Sequence, residues 1–101
     1  MTKEEKYFIE VGSNIKDAVK SQMFVKPCFK IGKKAFVCFF KNCMVFKLNG
    51  EYHSDALSLD GSELFDPSGK NRPMKEWVQV PFDYNEKWKI FAEKSAKYVA
   101  E

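Results

Sequence analysis

The sequence predicts an α+β domain, and three observations predict it. Apolar residues recur at helical intervals near the N-terminus, the middle of the chain alternates with period two between short turns, and a second helical periodicity fills the C-terminal end. With 101 residues, one domain spanning 1–101 is expected, because two independent cores rarely fit so short a chain. Ten Phe, four Tyr and two Trp supply a core and argue against general disorder. The expected architecture is an antiparallel sheet, a three-stranded meander plus a later fourth strand, with N-terminal and C-terminal helices.

Thr2 and Glu5 have the spacing of a capping box, and Phe8, Val11, Ile15, Ala18 and Val19 follow at helical intervals, so the segment reads as one amphipathic helix with a weak point at Gly12-Ser13-Asn14 or as two short helices divided there. Met23–Ile31, Ala35–Lys41 and Met44–Leu48 read as three strands joined by hairpins at Gly32-Lys33-Lys34 and Asn42-Cys43. Pro27 places the first of them at an edge or a bulge. The register then puts Val25, Phe29, Ile31, Ala35, Val37, Phe39, Met44, Phe46 and Leu48 on a core face. The opposite, mixed face carries Phe24, Lys26, Cys28, Lys30, Phe36, Cys38, Phe40, Val45 and Lys47. A short helix over about Tyr52 to Leu59, a loop over Phe65–Pro73, a strand over Glu76–Val80 and a last helix carrying Tyr84, Trp88, Phe91, Ser95 and Tyr98 complete the chain.

The net charge of +3 is unevenly spread. No acid stands between Asp17 and Glu51, whereas Lys20, Lys26, Lys30, Lys33, Lys34, Lys41 and Lys47 do; residues 1–49 carry a net +6 and residues 50–101 a net −3. Such a stretch either faces an anionic partner or keeps exposed strands from pairing with other chains. No apolar run approaches the roughly 18 residues needed to span a bilayer, and the first residues do not read as a secretory signal, so no membrane partner is expected. Cys28, Cys38 and Cys43, an odd number without a CxxC pair, fit a reducing, cytoplasmic setting.

The chemistry-bearing motifs are sparse. His53 is the only histidine, and Ser54 and Asp55 beside it do not share its helical face, so no catalytic residue is expected. The cysteine spacing is not that of a zinc knuckle or ribbon, and no metal or cofactor is expected. Gly69-Lys70-Asn71 lacks the Ser or Thr of a P-loop, although Ser68-Gly69-Lys70-Asn71-Arg72 has backbone N–H groups and two cations to offer an anion. Ala35-Phe36-Val37-Cys38-Phe39 matches only the second half of the RNP1 pattern, and the element order differs from that of an RNA-recognition motif. What remains is a set of aromatics among lysines: Lys26, Lys30, Lys33, Lys34, Phe36, Phe40 and Lys47, with Lys70 and Arg72 in the later loop, form the candidate surface for a nucleic acid or a protein partner. A covering helix or a second copy of the sheet would occupy the same face.

The run Met23-Phe24-Val25-Lys26-Pro27-Cys28-Phe29-Lys30-Ile31-Gly32-Lys33-Lys34-Ala35-Phe36 resembles the Met-Phe-Gly hairpin that opens TfoX N-terminal-domain-like proteins. Val45-Phe46-Lys47-Leu48 resembles that family's Leu-Tyr-Leu-Lys strand, and Leu64–Pro81 is similar to its Phe-Pro-Gly loop and the strand ending in Pro. Val25-Lys26 stands where the family commonly has Gly-Gly. This resemblance, shared with the similar MmcQ/YjbR-like fold, implies a bacterial protein with a regulatory bias, DNA binding in some members, and no catalytic residues to carry over. The expected function is therefore a small cytoplasmic, non-enzymatic interaction or regulatory module, able to self-associate through the mixed face. DNA binding through the lysine-rich hairpins is the alternative, and an enzyme holding a small anion near Trp77 and Arg72 is the second.

Overall fold

In the computed structural model, which describes residues 1–101, the Thr2 hydroxyl accepts the Glu5 N–H at 3.1 Å and starts α1 (Lys3–Ser13). Helix α1 stops at Asn14, and the expected continuation is wrong: Ala18 and Val19 open a strand, β1 (Ala18–Met23). Asp17, at φ 67°, turns the chain between them. The expected single strand Met23–Ile31 is likewise two elements, because Phe24-Val25 form a turn before β2 (Lys26–Ile31). Val25, expected in the core, is 88% exposed at that turn.

The chain continues as β3 (Lys34–Phe40), β4 (Cys43–Lys47), α2 (Gly50–Leu57), β5 (Glu63–Phe65), β6 (Met74–Val80), a 3-10 turn at Phe82–Tyr84 and α3 (Asn85–Ala100). The six strands form one antiparallel sheet in the order β1-β2-β3-β4-β6-β5. The α+β class, the meander and both terminal helices are as expected; the sheet has two further strands at its edges, β1 and β5. No helix is long and apolar enough to cross a membrane.

Pro27 does not mark an edge, since β2 lies between β1 and β3. Its missing N–H points toward β3 just beyond Cys28–Cys38, where the β2–β3 ladder ends, so the loss is confined to one bond at the end of that ladder. The β2–β3 turn is two residues, Gly32-Lys33, and a register shift at Phe29/Lys30 takes up the difference from the expected three. The β3–β4 turn is Lys41-Asn42, pairing Phe40 with Cys43 and Val37 with Phe46. That register is two residues from the expected one, so each β4 side chain keeps its face.

Helices α1 and α3 pack on one face of the sheet, with α2 against β6. Phe8 of α1 meets Phe29 and Phe39 at ring separations of 5.3 and 5.4 Å, and Phe46 meets Phe91 of α3 at 5.6 Å. Gly12 permits this approach: a Cβ there would lie 2.2 Å from the Phe29 ring. Trp88 stacks on Tyr7 at 5.8 Å while its indole N–H donates to the Pro81 carbonyl at 3.2 Å.

Candidate interaction surface

The mixed sheet face is closed by the chain itself. Cys28, Cys38 and Val45 line its centre without exposure, and Phe65 and Trp77 bury against them. Phe65 reaches this position because the β5–β6 register jumps from Leu64 opposite Val78 to Phe65 opposite Met74. Its ring then sits edge-on to Phe40 at 5.3 Å and 6.5 Å from Trp77. The sequence assigned Phe65 to the loop, where nothing in its spacing reveals that it covers a strand three places away in the sheet.

The lysine–aromatic set is not brought together. Phe36 leaves the mixed face altogether: the extra residue in β3 turns it into the helix-side core, where it is fully buried, and Ala35 takes its place beside Lys30. Phe40 is half-buried, with Lys26 and Lys41 over its ring at 5.0 and 5.2 Å and Phe65 against its edge, so its faces are already engaged. Lys26 stands at the end of the sheet carrying the Phe24-Val25 and Lys41-Asn42 turns. Lys30, Lys33, Lys34 and Lys47 stand at the other end, about 13 Å away along a strand. Lys47 lies 3.8 Å from Glu76, whose other oxygen accepts the Tyr98 hydroxyl at 2.6 Å. That hydrogen bond pushes the Tyr98 phenol upward.

Lys70 and Arg72 lie in the exposed 66–73 loop, whose anion-holding groups are taken by the chain's own Asp66. The Asp66 carboxylate accepts the Ser68 hydroxyl at 2.7 Å and the Gly69 and Arg72 N–H groups, each at 3.2 Å. The Ser68 hydrogen bond first, and those backbone donors after it, hold Asp66 below its ordinary range. None of the surface concavities is lined by Trp77 or Arg72; the largest, about 410 Å3, lies between residues 14–17, Ile31 and the end of α3. His53 Nε2 is 2.7 Å from the Lys75 carbonyl, which ties α2 to β6. No three His, Cys, Asp or Glu side chains group as metal ligands. Burial raises all three thiols, Cys38 to about 12 with the neighbouring Cys28 adding to the rise and Lys26 opposing it.

What the molecule presents instead is one open edge. All six residues of β1 pair regularly with β2, and nothing pairs with its other side. The hairpin closing it carries Phe24 at φ 52° and Val25 at φ 65°, the left-handed region where Asn and Gly are at ease and a β-branched residue is not. Val19 is 63% and Phe24 58% exposed. Strained backbone thus holds apolar side chains in solvent beside unpaired strand. Compared with family models, curated proteins and solved structures, the chain matches none.

Proposed function

We propose that the chain is a cytoplasmic, non-enzymatic interaction module that takes its partner by adding a strand to β1. The observation that carries the reading is the coincidence, on one edge, of free backbone groups, exposed Val19, Phe24 and Val25, and a turn strained in order to display two of them. A relationship to TfoX N-terminal-domain-like proteins, and the regulatory role it implies, belongs to the same proposal. Its support is that the positive φ of Val25 falls where that family commonly has Gly.

Affinity capture with the purified chain tests the reading when run beside a Gln22→Pro variant, which removes an edge donor. The expected result is a discrete protein, another copy included, retained by the parent and lost by the variant. The nucleic-acid alternative is an outcome of the same scheme: anisotropy titration against mixed DNA and RNA at low salt. Binding there that weakens steeply with added salt and is indifferent to Gln22→Pro overturns the strand-addition reading in favour of lysine–phosphate contacts.

A further inference from the structure

Three of the six large apolar side chains left exposed, Val19, Phe24 and Val25, fall within seven consecutive residues of the β1 edge. The turn at Phe24-Val25 sets Met23 against Lys26, so Met23, Ser21 and Val19 aim their backbone groups at β2. Ala18, Lys20 and Gln22 aim theirs away from the sheet. The Ala18 N–H is taken by the Ile15 carbonyl at 3.2 Å, whereas Lys20 and Gln22 make no backbone bond outside the ladder.

Resting on the interaction reading above, we infer that the occupant of this edge is a second copy of the chain, its β1 antiparallel to the first about a two-fold axis through Ser21. The strand's own pattern selects this partner and this register. With Ser21 opposite Ser21, Lys20 lies opposite Gln22 of the second copy and Gln22 opposite its Lys20, and these are the residues whose N–H and C=O groups point outward. On the mixed-face side Val19 meets Met23 of the second copy, an apolar pair made twice by the symmetry. Beyond Met23 the chain turns back toward β2, so of the hairpin tip only Phe24, next in line, comes near Ala18 of the second copy.

Rival registers are poorer. A slip of two residues one way sets Lys20 against Lys20; a slip of two the other way loses the Val19–Met23 pair and puts Lys20 against Phe24. A slip of one mismatches the faces. The product is a continuous twelve-stranded sheet with the helices of both copies on one side.

Sedimentation equilibrium over a concentration series tests the inference directly, with a species of twice 11.8 kDa expected. Gln22→Pro deletes an outward donor twice through the symmetry, without touching the β1–β2 ladder, and is expected to weaken self-association at least about tenfold. Lys20→Ala keeps its N–H and is expected to retain the dimer. If Gln22→Pro does not fold, amide exchange on the parent protein decides: the Lys20 and Gln22 amides are expected to gain protection with concentration, while those of Ser21 and Met23 are protected throughout. Isotope-filtered contacts between Val19 and Met23 methyl groups of different copies report the register. A chain that stays monomeric to about 1 mM, or a dimer whose Lys20 and Gln22 amides exchange freely, overturns the inference. A monomer that still captures another protein, and loses it on Gln22→Pro, removes the second copy but leaves the interaction reading standing.

Discussion

The two edges of the sheet are built in opposite ways. β5 is three residues long, its register with β6 breaks after Leu64, and the chain leaves it through Asp66-Pro67 into a loop tied down by the Asp66 carboxylate. Those are the devices by which sheets end without recruiting another chain. β1 is six residues long and regular, carries one charge, contains no proline or bulge, and finishes in an apolar turn. One edge is closed, with its aromatic residue folded back over the sheet; the other is left open with its apolar residues outward. The difference is what the proposed interaction surface rests on, more than the distribution of lysines, because lysines line both ends of the sheet whereas the long open edge with exposed apolar residues is found on one side.

The largest effect is expected at the closed edge. Phe65→Ala empties the centre of the cluster that seals Cys28, Cys38 and Val45, and should cost about 3–5 kcal/mol by urea denaturation. The exposed Val19→Ala at the open edge should change the stability of the monomer by less than about 0.5 kcal/mol. Thiol chemistry reads the same contrast. With its pKa pushed up to about 12 by burial, Cys38 holds roughly a thousandfold less thiolate at neutral pH than a thiol at 9.0, and should resist alkylation in the native state. In folded Phe65→Ala protein its labelling should accelerate and its pKa fall toward 9.0. A stable Phe65→Ala variant with Cys38 still inert would show that the closed edge does not depend on this side chain.

Much of this contrast could not be read from the sequence. The period-two alternation located the three central strands and the side taken by Phe29, Val37, Phe39, Met44, Phe46 and Leu48, because side chains on a pleated strand have only two choices of side, but it misplaced Val25, Ala35 and Phe36. Ala18 and Val19 also fit the helical period begun by Phe8 and Val11, but the helix ends at Asn14 and the turn through Asp17, at positive φ, separates strand from helix. The Phe24-Val25 turn was illegible for a related reason: turn chemistry is recognised by Gly, Asn or Pro, and a Phe-Val turn carries none of them. Phe36 was lost to a bulge that inverts its face, and Phe65 to a long-range contact. The residues that define the open edge are therefore the ones that break local rules, as expected where a sequence trades local preference for display.

A smaller effect is expected at the strained turn, with opposite signs in stability and association. Val25→Gly removes a side chain that is almost wholly in solvent and places glycine at φ 65°, so the monomer should gain about 1 kcal/mol. If the tip contributes to an interface, the same variant should bind less well, and thermal melts beside sedimentation measure the two changes in one preparation. A variant gaining stability with no loss of association would place the interface away from the tip.

The smallest effect belongs to the loop that finishes the closed edge. In Asp66→Asn an amide nitrogen can replace the oxygen that accepts the Arg72 N–H, setting donor against donor, so the loop should loosen and the Arg72 amide should exchange faster. Because the folded carboxyl titrates below 3.8 while the unfolded one titrates near it, the wild-type advantage is fully present above about pH 4 and is lost as pH falls through the folded value. Urea midpoints of the two proteins should therefore differ at pH 7, still differ at pH 3.8, and converge only in stronger acid. An acid step in self-association that Asp66→Asn abolishes would mean that the two edges are coupled through the sheet and do not act independently.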